Sequence, residues 1–257
     1  MRLLLTCLFA GLGAGIGTGF VGLSAATVIS PMLISFMGYP WYESVGIGLA
    51  SDVLASAFSA GVYAKNKNID VKNGILMIIS VLIMTVIGSY FSQYMPDNEM
   101  GWISILASAF MGFRFIFGSK REQHAPSFME KLQSRRTLLS VICGMVIGFY
   151  CGFMGVGGGL MMLFILTIVL GYDLKIAVGT SVLVMTFTAL TGSVSHFYFG
   201  DVTEYIPALI LCAFFTTVTA LISSWIANKL DARKTNLTAG VILIILGACM
   251  IVEKLVA

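Results

Sequence analysis

Charged residues in this sequence mostly lie between apolar runs, so the exceptions and the breaks inside the runs are where chemistry is to be sought. The stretch "GVGGG" at 155–159 is the first of them. Each glycine costs a helix interior about 1 kcal/mol relative to alanine, and three in succession exceed what close helix packing needs. They predict a helix broken at membrane depth, where free N–H groups and the positive end of the dipole face inward and glycine lets a ligand approach. A small anion suits such a place, which makes Gly155, Gly157, Gly158 and Gly159 candidate contacts, with Gly22, Ser24 and Thr27 at the corresponding place in the first half.

Asp52, in "GIGLASDVLASAFSAG", sits near the middle of its run. A carboxylate there is expensive, faces the protein interior and marks an ion pathway, so Asp52 is either a proton- or cation-coupling group or a hydrogen-bonded packing residue. Thr180 and Ser181, in "AVGTSVLVMTFTALTGS", can donate hydroxyls to an anion, although such residues also bond their own helix backbone. His196 is read as a proton relay or as interfacial packing, and Arg114 as a snorkelling side chain or a substrate arginine. The five cysteines have no metal-ligand spacing and read as small packing residues. "GTGFVG" at 17–22 satisfies GxGxxG, but no strand precedes it, so a dinucleotide site is excluded.

The elements that must position these residues are membrane helices. Of 257 residues, 58% are hydrophobic and 11% charged, against about 25% charged in soluble domains; the mean hydropathy is +0.96. Runs at 43–63, 74–94, 101–118, 176–199, 206–227 and 236–252 have the roughly 20 residues that a crossing requires. Two others, 3–36 and 137–170, are too long for one. The net charge of +3 comes largely from short loops, as topology signals do, and argues for no nucleic-acid partner.

Shifting the chain by 133 positions aligns Gly11 with Gly144, Gly15 with Gly148, Gly19-Phe20 with Gly152-Phe153, Gly22 with Gly155, Gly38-Tyr39 with Gly171-Tyr172 and Val45-Gly46 with Val178-Gly179. The first run, which otherwise resembles a secretory signal, is therefore a structural element of repeat one. The repeats occupy 1–118 and 137–257, joined by a cytoplasmic linker at 119–136. Loop charges alternate between mates: "KNKNIDVK" at 65–72 is basic where 198–205 is not, and "MPDNE" at 95–99 is acidic where "NKLDARK" at 228–234 is basic. Mates then lie on opposite sides, so the repeats are inverted. Inversion requires each long run to contribute an even number of crossings, as a hairpin of two short segments. That places 65–72, the linker, 171–175 and 228–234 in the cytoplasm, with both termini outside. Eight full spans with parallel repeats are the alternative, which strands "NKLDARK" outside. Glycines spaced by four, Gly11, Gly15 and Gly19 or Gly144, Gly148 and Gly152, read as packing faces.

The second repeat resembles the TauE/SafE sulfite exporter family in its GxxGxGGG, A-x-G-T-S and S-x-x-H-x-x-x-G-x-V patterns, carried here by 152–159, 177–181 and 193–202. The resemblance covers essentially the whole chain. It implies a permease for sulfite, sulfoacetate or related small anions, with Gly155, Gly157, Gly158, Gly159, Thr180, Ser181 and His196 as motif positions. The first repeat departs from the pattern, with Ser24-Ala25-Ala26 for three glycines and Ile47-Gly48 for Thr-Ser, and Phe164 stands where proline is usual. The half-sites are thus chemically unequal.

The expected fold is an all-α integral membrane protein of two inverted repeats, each a glycine-broken re-entrant helical hairpin plus three transmembrane helices. The expected function is secondary transport of small anions in the cell membrane by alternating access, with Asp52 and His196 as ion-coupling candidates. The partners are a small anionic substrate and the lipid bilayer, with room for a homo-oligomer; no cofactor or metal is expected. Transport of small carboxylates and a passive anion channel are the alternatives. An intramembrane enzyme would need a paired nucleophile and base, for which the two histidines, His124 and His196, offer little.

Overall fold

In the computed structural model, the described residues are 1–96, 136–154, 158–169, 171–200 and 203–231, with Leu237, Val241, Ile244, Ile245 and Ala248 beyond them. The first half comprises α1 (Arg2–Val21), α2 (Ala26–Met37), α3 (Trp41–Lys65) and α4 (Val71–Ser92). The second comprises α5 (Arg136–Met154), α6 (Gly158–Phe164) with a π-helical continuation (Ile165–Val169), α7 (Leu174–Phe199) and α8 (Ile206–Ala227). The expected spans 101–118 and 236–252, the linker, Arg114, Gly155 and Gly157 lie outside the described residues or touch them only at those single positions.

The first long run is a hairpin because a glycine ends its first arm. Gly22 adopts the left-handed conformation (φ 68°) and donates its N–H to the Thr18 carbonyl at 3.0 Å, a helix stop that glycine makes without strain. After Leu23, Ser24 and Ala25 the chain enters α2, which runs back toward the start of α1. Tyr39, just past the end of α2, packs its ring 4.6 Å from that of Tyr205, and Cys7 of α1 contacts the Ala208 carbonyl on α8. The arms are unequal, however. Two short segments were expected, yet α1 has 20 residues and is long and apolar enough to cross a membrane alone, while α2 has 12.

Packing explains the long arm. A Cβ on Gly15 would come within 2.6 Å of the Thr219 Cβ and 2.7 Å of the Ala220 nitrogen, and one on Gly19 within 2.7 Å of the Ala220 carbonyl. The glycine face of α1 thus lies directly against α8 along the helix, and Ser223 adds a hydrogen bond to the Gly15 carbonyl at 2.8 Å. Gly144, Gly148 and Gly152 of α5 lie in the same way on α4, against Ser80, Val81 and Thr85. Small faces let backbones approach and gain dispersion contact in a solvent that offers no hydrophobic drive. Each repeat's first helix is therefore packed on the other repeat.

The bundle is apolar on its outer face, and its interior sets buried hydroxyls among apolar side chains. Ser51, Ser56, Ser59, Thr85, Ser89 and Thr188 are buried, whereas Phe58, Ile79, Ile83, Ile210 and Phe214 are exposed, as expected where the surroundings are lipid. Most of the buried hydroxyls bond their own helix, as Ser51 does to the Ile47 carbonyl at 2.8 Å and Thr85 to Val81 at 2.8 Å. Four helical segments meet the length and composition of a span among the described residues: Arg2–Val21, Trp41–Lys65, Leu174–Phe199 and Thr203–Ala227.

At the centre, the mates α3 and α7 cross with opposed direction. Gly46, early in α3, lies under Phe197 and His196, late in α7, and a Cβ on Gly192 would be 2.9 Å from Leu49. One end of the bundle gathers the loops at 65–72, 171–175 and 228–231. There Asn68 donates to the Asn228 side chain at 2.8 Å, Lys175 to the Asn228 carbonyl at 3.1 Å and Tyr172 to Asp70 at 2.6 Å. The other end gathers aromatic rings: Tyr90 lies 5.6 Å from Phe199 and 5.6 Å from Tyr94, the composition of a membrane interface.

Candidate functional site

The start of α6 meets the turn between α1 and α2. A Cβ on Gly159, in the first turn of α6, would stand 2.8 Å from the Leu23 Cα and 2.8 Å from the Ser24 nitrogen. The missing side chain is what allows α6 to press against the turn that opens α2. Beside this contact lies a small cavity lined by Ser24, Leu49, Asp52, Cys151, Gly159, Met185, Thr188 and Ala189. It has room for about one water molecule.

Asp52 projects into the cavity from α3 and is 1% exposed. Thr18 of α1 donates to its Oδ1 at 3.5 Å, the outer limit of a hydrogen bond. The Ser24 hydroxyl and the backbone N–H of Ala25, at the start of α2, face the same carboxylate. Even so, Asp52 Oδ2 and Ser24 Oγ are both buried without a completed hydrogen bond. Such groups are exceptional in a folded interior and carry a desolvation cost of about 1–3 kcal/mol each. The surroundings therefore hold polar capacity that they do not consume.

The cavity lies between the repeats and draws on equivalent positions of each. Thr18 and Cys151 are mates at the 133-residue offset, as are Asp52 and Met185. Repeat one contributes the carboxylate and the Ser24 hydroxyl, and repeat two contributes the Cys151 and Met185 sulfurs and Thr188. Thr18, Cys151, Met185 and Thr188 were not among the candidates read from the sequence. The offset held the signal for Cys151 and Met185, but it pairs positions without saying that the two members face one another.

The other predicted residues divide clearly. Ser24, Asp52 and Gly159 come together at the cavity; Gly22 forms the αL stop just before it, with Ser181 packed into the space that a side chain would fill. Thr27 is buried in the first turn of α2, its N–H on the Ser24 carbonyl at 3.0 Å. Gly158 opens α6. Thr180 does not line the cavity: its hydroxyl accepts the Asp70 N–H at 3.0 Å and so fastens the loop that starts α4. Ser181 donates to the Val178 carbonyl of its own helix at 2.8 Å. His196 lies eight residues beyond Thr188 on α7, about 12 Å along the helix. Its ring stacks on Tyr42 at 4.4 Å, with Nδ1 2.9 Å from the Gly192 carbonyl and Nε2 buried without a partner.

A helical bundle with apolar spans and a buried acid beside the start of a short inner helix has the construction of a membrane transporter. The chain belongs to the family described as Sulfite exporter TauE/SafE, whose sequence model matches residues 7–250. It is similar to "Probable membrane transporter protein YunE" of Bacillus subtilis (strain 168), with 26% identity over 263 residues that cover 95% of each chain. It is also similar to "Probable membrane transporter protein MJ0441" of Methanocaldococcus jannaschii, with 29% identity over 188 residues, 71% of this chain and 65% of that one. "Probable membrane transporter protein YdhB" of Bacillus subtilis is 24% identical over 237 residues, 89% of each. No solved structure matches the chain.

Proposed function

We propose that this transporter carries small anions, sulfite or organosulfonates such as sulfoacetate, across the cell membrane as a multi-pass secondary transporter working by alternating access, with Asp52 coupling the movement to protons. The observation that carries the reading is the meeting of Ser24, Ala25, Asp52 and Gly159 at one buried cavity beside the start of α6. Thr18, Ser24 and the Ala25 N–H are the donors offered to the anion. The cavity has room for about one water molecule, far narrower than a standing anion pore, and this supports alternating access over a channel.

Inverted repeats are part of the proposal. Three observations support them: the opposed direction of α3 and α7, the gathering of 65–72 with 171–175 and 228–231 at one end, and the basic residues Lys65, Lys67, Lys175 and Lys229 at that end. Cytoplasmic loops collect such charge. Parallel repeats would instead send the 65–72 and 228–231 loops to opposite faces.

Purified protein in liposomes tests both points. Labelled sulfite or sulfoacetate should accumulate inside against its gradient when a pH gradient is imposed, and cysteines introduced at 67 and 229 should react from the same face. Equilibration without accumulation would mean a channel, and reaction from opposite faces would end the inverted arrangement.

A further inference from the structure

The turn into α2 faces the protein's own carboxylate, that of Asp52. We propose that Asp52 is the resident anion of the α2 N-terminus, and that an incoming substrate anion takes over its donors only when Asp52 carries a proton. This rests on the small-anion reading above and gives it a coupling rule of one proton bound with each anion.

Three features of the site lead there. First, donors from two elements converge on one carboxylate: the Thr18 hydroxyl from α1, and the Ser24 hydroxyl and Ala25 N–H from the turn into α2. An N-terminal turn bears N–H groups with no helical acceptor, and its dipole favours negative charge. Secondly, the match is incomplete, since Asp52 Oδ2 and Ser24 Oγ are buried without hydrogen bonds and border a cavity. A site designed only to hold Asp52 would have closed on it. Thirdly, among the described residues no basic side chain lines the cavity.

Two negative charges would then share one small space with nothing between them, and in a low-dielectric interior that repulsion is severe. Protonation removes it. It also converts Asp52 from an acceptor into a donor, so the neutral acid can hydrogen-bond to the anion that replaced its charge. Among the described residues, Cys151 of α5 is the other titratable side chain facing the cavity; α7 and α6 present Met185, Thr188, Ala189 and Gly159, and α3 itself presents Leu49. On α8, which also packs on α3, the one titratable group is Cys212, which is hydrogen-bonded to Cys7 away from this cavity. No other group among these can supply the proton rule except Cys151, which a Cys151→Ser control removes.

The consequence is directional. A monovalent anion and its proton cross together without net charge, so flux runs toward the alkaline side and ignores the membrane potential. A substrate with a second negative charge, such as sulfoacetate, becomes potential-sensitive.

The test measures methanesulfonate and sulfoacetate binding by calorimetry on the purified full-length protein from pH 5 to 9. For the wild type, affinity should fall about tenfold per pH unit once Asp52 is ionised, and the Cys151→Ser variant should follow the same slope. For Asp52→Asn, which keeps the shape and cannot ionise, affinity should be flat and, at pH 9, well above wild type. A flat wild-type profile, or affinity that rises with pH, overturns the proposal while leaving the anion site standing. Loss of binding in Asp52→Asn with an unchanged unfolding temperature also overturns it. If neither anion binds either protein at any pH, the small-anion reading falls and takes this one with it.

Discussion

The two hairpins occupy equivalent places in the sequence and do different work. The first, through Gly22, Leu23, Ser24 and Ala25, keeps one glycine and offers a hydroxyl and N–H groups to Asp52. In the second, richer in glycine, Gly159 offers no side chain and lets the neighbouring turn come close. The two copies differ in chemistry at equivalent positions: Ser24 stands where the second copy has Gly157, and Asp52 where it has Met185.

Exchanging the acid between mates strikes hardest at this contrast. Asp52→Met should abolish pH-driven accumulation in liposomes. Adding Met185→Asp to that variant should recover part of it, because both positions border one cavity; no recovery would mean that the donors of the first hairpin are indispensable. A smaller effect is expected from Gly159→Val, whose Cβ would stand 2.8 Å from the Ser24 nitrogen. Forcing α6 and the turn apart should cost about 1–3 kcal/mol of stability, seen as earlier thermal unfolding, together with weaker anion binding. The same change at Ala26, the repeat-one mate of Gly159, gives the comparison its second half. The smallest effect belongs to Thr180→Val. Losing the hydroxyl that receives the Asp70 N–H should cost about 1 kcal/mol and leave anion affinity unchanged; a large loss of affinity would return Thr180 to the site.

Much of the architecture was readable before any coordinates. Apolar runs predicted the helices among the described residues, and the four-residue glycine spacing of α1 and α5 predicted packing faces. The unequal arms were not readable, because the length of α1 is fixed by its seat on α8, a contact between distant parts of the chain. The site was half readable. A mid-run carboxylate and a broken helix each stand out alone, since both are locally costly and need a reason. Cys151, Met185 and Thr18 pass as ordinary apolar or small residues, and only the opposed crossing of α3 and α7 brings their neighbours to one place. Thr180 and Ser181 were read both as donors and as backbone-bonding residues, and the bonds they make are to a loop and to their own helix turn.

The seat of α1 on α8 also sets a clock for synthesis. Gly15 and Ser223, joined by a hydrogen bond, are separated by 208 positions. At the usual pace of about 5–20 residues per second, the glycine face of α1 waits roughly 10–40 s for its partner to leave the ribosome. During that wait a strip of bare backbone lies in lipid or against a substitute. Until then the stretch of α1 from Gly11 to Gly19 has none of the contacts that α8 will give it.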